Sequence, residues 1–196
     1  MNELFEEAYE EVQQTASLIL PARKKIWTQL GNISYEPGIR KMTDGIRKRV
    51  TLAKACVKKV LPIWNAGTGC DSKLYDFLNQ IDAYIDGLCS NEELQANMKI
   101  LYSQFETDAY EPQYEKTSLI GFAALYAANI ALYDELLFQN SEDNDLDEDL
   151  DSFTWDTSYL VSLVYSDSTE EGTRIEKQRE YWSWYLAEVQ KIAGNN

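Results

Sequence analysis

The densest potential chemistry in the chain is a run of carboxylates: Glu142, Asp143, Asp145, Asp147, Glu148, Asp149 and Asp151. Asp143, Asp145 and Asp147 have the alternate spacing of the first three ligands of a calcium-binding EF-hand loop. The sixth place of such a loop needs glycine for its sharp turn and holds Glu148; the twelfth needs a bidentate carboxylate and holds Thr154. Calcium is therefore set aside. The run lacks the apolar content to pack, so the expectation is an exposed loop between two helices, serving either as an acidic contact surface or as a solubilising segment.

Other chemistries are narrowed by what is missing. The chain has no histidine, which excludes Ser-His-Asp and Cys-His catalysis and imidazole-bound zinc. Cys56, Cys70 and Cys89 are odd in number and lack metal-binding spacing, so reduced thiols are expected. Five glutamates interrupt the first twenty residues and leave no secretory signal pattern, and the expected location is the cytoplasm. No phosphate-cradling glycine loop or nucleophile elbow appears, and 33 acidic residues make any single carboxylate pair uninformative. No cofactor or metal is expected, and the reading is of a protein that is not an enzyme. A helical interaction scaffold and a metal-free enzyme using carboxylates and Tyr are the alternatives.

Net charge is −15, unevenly spread. Arg23 to Lys59 holds eleven basic against two acidic residues, whereas Asp71 to Asn196 holds 26 acidic against seven basic. An electrically polar molecule, drawn to basic partners, is expected. The basic residues Arg47, Lys48, Lys54, Lys58 and Lys59 lie opposite an apolar stripe of Ile46, Val50, Ala53, Val57, Val60 and Trp64. That stripe has the width that core packing demands, so the basic face is expected to pair with neighbouring carboxylates and to bind neither nucleic acid nor membrane. Arg49 falls beside the stripe, where a buried guanidinium needs a carboxylate partner.

The elements that must position these groups are helical. Residues from about 118 to 138 form an Ala-rich helix with apolar or small residues on every side, as in a buried central element. Gly121, Ala124, Ala128 and Ala131 align as a seam where another helix backbone can approach. Around it, helical spacing is read for Leu4 to Ala16, behind a possible Asn2 cap, and for a segment opened by Pro21 and closed by Gly31. A loop with Pro37 and Gly38 follows, then the amphipathic helix that Pro62 ends or kinks. Asp71 or Ser72 can cap the next helix, Ser90 and Glu93 form a capping box for another, and a helix is read from about Phe153 to Tyr165. Thr173 and Glu176 suggest a second capping box, before a last helix with Ile175, Trp182, Tyr185, Leu186, Val189 and Ile192 inside. The expectation is an all-α, single-domain bundle of about eight helices over residues 1–196.

The ordered set Arg23-Lys24-Lys25-Ile26-Trp27, Arg47 to Arg49, Leu61-Pro62-Ile63-Trp64, Asp147 with Trp155-Asp156, and Arg179-Glu180-Tyr181-Trp182-Ser183-Trp184-Tyr185-Leu186 resembles the fifth numbered immunity-protein family of bacterial polymorphic toxin systems. The resemblance implies an all-α cytoplasmic antidote that binds a cognate toxin encoded nearby. The matching residues Arg23, Trp27, Arg47, Arg49, Pro62, Trp64, Trp155, Asp156, Arg179, Trp182, Trp184 and Tyr185 are read as fold-defining. The acidic run is read as the partner surface for a basic, nuclease-like toxin. Asp156 is expected to pair with Arg23 or Arg49.

Overall fold

Proline placement and capping chemistry set the helix boundaries. The structure, a computed structural model, describes residues 3–33, 42–136, 138, 141, 142 and 145–194. The possible Asn2 cap, the Pro37–Gly38 loop and Asp143 lie outside the described residues. Nine α-helices are found among the described residues: α1 (Glu3–Thr15), α2 (Leu20–Gln29), α3 (Asp44–Lys59), α4 (Leu61–Thr68), α5 (Lys73–Ile85), α6 (Asn91–Asp108), α7 (Glu115–Tyr133), α8 (Thr157–Ser166) and α9 (Glu171–Gly194). The eight expected become nine because Pro62, in the first turn of α4, separates it from α3 at Val60. Pro21 sits likewise in the first turn of α2. The Ser90–Glu93 capping box forms as read: Ser90 N donates to Glu93 Oε2 (2.8 Å) and Glu93 N to Ser90 Oγ (3.2 Å).

Helix α7 is the centre. It packs against α3, α6 and α8, and also against α4 and α5. Residues Ile120 to Ala128 are buried except Phe122, so side chains facing every direction meet protein. Gly121 serves an aromatic ring instead of a helix backbone: a Cβ there would lie 2.5 Å from Phe105 Cδ2 of α6. The core is one continuous apolar cluster that runs from Phe5 to Ile192. No helix among the described residues is long and apolar enough to cross a membrane.

Three boundaries and the exposure of one residue depart from the sequence reading. Helix α7 ends at Tyr133, not at 138, because Asp134 turns the chain at φ +66 while its carboxylate is held by Arg49. Helix α8 starts at Thr157, after a 3₁₀ turn over Ser152–Thr154, because Asp156 is the residue that caps it. The Thr173–Glu176 box is absent: α9 already begins at Glu171, and Thr173 Oγ1 bonds Glu170 instead. Ile175 is 37% exposed on α9, since the inner face begins only at Tyr181.

Candidate functional site

Two fully buried arginines underlie the region of interest. Arg23, on α2, donates through Nη1 to Leu18 O (2.6 Å) and Asp147 Oδ2 (3.0 Å). Its Nη2 reaches Asp156 Oδ2 (2.6 Å) and makes a short contact with Asp147 Oδ1. The rings of Tyr159 and Trp182 flank the guanidinium at 5.6 and 5.4 Å. Burial disfavours this charge, but the two carboxylates outweigh burial and raise the Arg23 pKa above the ordinary arginine value. Burial pushes the Asp147 carboxyl up, against the pull of Arg23. Asp156 Oδ1 meanwhile accepts from Ser158 N (2.8 Å) and Tyr159 N (3.2 Å), which places this carboxylate at the positive end of α8.

Arg49, on α3, takes a different acid from the one proposed for it. Its Nε and Nη2 grip Asp134 at 2.7 and 2.9 Å, while Nη1 donates to Trp27 O (3.2 Å) and Gly31 O (2.8 Å) at the end of α2. Gly31 permits this approach: at φ +138, a Cβ there would stand 2.7 Å from Gly45 Cα. One guanidinium thus ties together the C-terminal ends of α2 and α7. Sequence reasoning missed Asp134, although the signal was present: an apolar helix ending in two acids, and a lone arginine beside an apolar stripe.

Over these pairs lies the acidic run. Lys24 Nζ holds the carbonyls of Ser141 (3.2 Å) and Glu142 (2.8 Å). Asp145 accepts from Glu142 N (2.7 Å), Asp149 accepts from Leu146 N (2.9 Å), and Trp155 Nε1 donates to Asp147 O (2.8 Å). The described part is therefore a shaped segment with a 3₁₀ turn over Asp147–Asp149. Glu142, Glu148, Asp149 and Asp151 are exposed and Asp145 is half-buried. Asp147 departs from the expectation: it is 9% exposed, because Arg23 draws it inward.

The remaining motif residues mostly hold the fold. Trp27 Nε1 donates to Tyr185 OH (2.9 Å) and Trp64 Nε1 to Asp71 O (3.0 Å), and Trp182 is buried. Lys59 lies over the rings of Trp184 and Tyr165 at 5.0 and 5.3 Å, and Arg179 Nε donates to Gln13 O (3.2 Å). Pro62 is exposed. The basic face of α3 meets α5 as expected, with Lys54 on Asp82 and Arg47 on Asp86 and on Ile85 O (3.0 Å).

Several hollows accompany these features, among them one of about 290 Å³ beside Trp64 and Asp71. A buried one of about 10 Å³, lined by Arg49, Glu135, Asp156 and Tyr185 among others, has room for about one water molecule and none for a substrate. A groove of about 280 Å³ runs between Tyr102, Phe122 and Trp155, and a hollow of about 480 Å³ adjoins it beyond Leu119. Among the described residues, no group of three or more His, Cys, Asp or Glu side chains could hold a metal ion.

Buried ion pairs that clamp helices together, Arg23 with Asp147 and Asp156 and Arg49 with Asp134, define an all-α protein that carries exposed acids above them. The profile of the family described as Immunity protein Imm5 matches residues 5–192, and the chain belongs to this family. Its role is that of an immunity protein. No curated protein matches the chain.

Proposed function

We propose that this protein neutralises a cognate toxin of a bacterial polymorphic toxin system by binding it in the cytoplasm and covering its active site. The toxin is a basic, nuclease-like domain, and the contact surface includes Glu142, Asp143, Asp145, Glu148, Asp149 and Asp151. The observation that carries this reading, beside the family, is that the described carboxylates of the run sit on a segment braced by Lys24, Trp155 and the Arg23 pair. Charges held in place lose less freedom on binding than charges on a slack loop, and they fix the orientation of an oppositely charged partner. Occlusion requires no catalytic group of the protein's own.

Co-expression with the toxin domain encoded beside this gene tests the reading. Survival of the host and a stable complex on gel filtration are expected; cell death at full expression of both proteins, with no complex, would reject it. Reversing Glu148, Asp149 and Asp151 together to Lys is expected to weaken the complex by at least tenfold, as loss of several rim charges does. Unchanged affinity in that variant would remove the acidic run from the interface.

A further inference from the structure

The buried hollow of about 10 Å³ lies where four helices meet: Arg49 of α3, Glu135 just past α7, Asp156 at the cap of α8 and Tyr185 of α9 all line it. Every residue around it is 5% exposed or less, so its polar groups reach no bulk solvent. A space of that volume holds one water molecule, and a water settles there only where at least two polar groups receive it.

The hydroxyl of Tyr185 supplies the first. It accepts a hydrogen bond from Trp27 Nε1 (2.9 Å), which is the one bond it makes among the described residues. Its own proton therefore needs an acceptor, since a buried O–H left without one is costly. Burial raises the Tyr185 pKa well above its ordinary value, so the proton stays on the oxygen. The carboxylates of Glu135 and Asp156 supply the acceptors. Glu135 accepts from Tyr126 OH (2.7 Å) and Asp156 Oδ2 from Arg23 Nη2 (2.6 Å), and a carboxylate with about four lone-pair sites takes further donors. All three groups border the same space, which is large enough for one molecule between them.

We propose that this hollow is the binding site of one internal water molecule, which accepts the Tyr185 proton and donates to Glu135 and Asp156. The bridge joins what the two buried arginines hold separately. Glu135 N donates to Asp134 Oδ1 (3.0 Å), the carboxylate that Arg49 grips, and Asp156 is held by Arg23. Glu135 and Asp156 also bound the segment that carries the acidic run, so the water closes the base of that segment on α9. This holds whatever partner the acidic run meets.

A crystal structure of the full chain tests the site directly. Electron density about 2.5–3.0 Å from Tyr185 Oη and from a carboxylate oxygen of both Glu135 and Asp156 is expected. A hollow without density, or Tyr185 Oη bonded straight to either carboxylate, overturns the site. In solution, magnetic relaxation dispersion of the water signal counts the molecules that stay inside the protein. At roughly one buried water per 27 residues the chain holds several, so the readout is a difference between variants. Ala53→Val, whose added methyl groups take up space at the α3 wall, is expected to lower the count by one. Ala96→Val, the same change at an exposed site on α6, is expected to leave it unchanged. Equal counts in all three proteins overturn the proposal, and should Ala53→Val not fold, the wild-type density decides alone.

Discussion

Asp156 serves two ends of the molecule with one carboxylate. Oδ1 caps α8 and Oδ2 binds Arg23, so removing the side chain uncaps a helix and strands a buried guanidinium on Asp147 alone. Asp156→Ala is expected to destabilise the fold by about 3–5 kcal/mol, the usual effect of breaking a buried pair. Asp147→Asn is expected to cost only about 1–2 kcal/mol, since the amide keeps an acceptor and Asp156 still balances the charge. The direction of the Asp147 shift agrees: a carboxyl raised above its ordinary 3.8 contributes stability that is fully present below that value and is lost as pH rises through the folded pKa. At neutral pH its ionised form is thus disfavoured by folding, burial outweighing the pull of Arg23. Urea unfolding of both variants at pH 7 measures the order, and Asp147→Asn proving the costlier change would contradict this division of roles. The pairing of Asp156 with Arg23 was legible in the sequence as one of two options. That Asp147 turns inward was not, because seven acids in a run look alike until one of them meets an arginine 124 positions away.

Among the elements, what could be read was what is local. The Ser90–Glu93 box and the break at Pro62 depend on neighbours within a turn, and both formed as read. The end of α7 and the burial of Asp134 depend on Arg49, 85 positions earlier, which no local pattern reveals. The capping box yields a prediction with a definite sign. The hydrogen bond from Ser90 N holds the exposed Glu93 carboxyl below its ordinary 4.5, so its contribution is present above that value and is lost as pH falls through the folded pKa. The stability difference between wild type and Glu93→Gln is therefore expected to shrink from pH 7 to pH 3 in matched urea titrations; a difference that grew on acidification would contradict it. A second prediction concerns α6 against α7. The Phe105 ring on Gly121 is wedged between Trp64 and Phe122 at 6.1 and 6.3 Å, so it has little room to retreat from a new methyl group. Gly121→Ala is expected to cost about 1–3 kcal/mol despite its better helix propensity. Gly172→Ala, where a Cβ meets nothing within 4 Å, is expected to gain up to about 1 kcal/mol. Thermal unfolding of the pair separates overpacking from propensity, and equal shifts in both variants would reject the close fit.

At the scale of the whole molecule, the folded charge differs from the linear one. The basic excess between Arg23 and Lys59 suggests a positive pole, yet Arg23 and Arg49 are buried in ion pairs, Lys54 is buried against Asp82, and Lys24 is turned onto backbone carbonyls. Among the described residues four basic side chains, Arg23, Lys24, Arg49 and Lys54, are buried, and so are four acids, Asp134, Glu135, Asp147 and Asp156, while Glu142, Glu148, Asp149 and Asp151 stay outside. The positive pole is accordingly weaker than the sequence suggests while the net charge of the exterior stays strongly acidic, and its field reaches a basic partner before contact. Lowering the ionic strength from about 0.15 M to 0.01 M lengthens the Debye distance from about 8 to 30 Å, enough for such a field to act across the encounter. Association with a basic toxin domain, followed by stopped-flow fluorescence, is therefore expected to accelerate by at least tenfold over that range, whereas dissociation changes much less. Reversal of Glu148, Asp149 and Asp151 is expected to lower the association rate and flatten its salt dependence. An association rate insensitive to salt in the wild-type protein would mean that the acidic exterior keeps the molecule soluble and does not steer its partner.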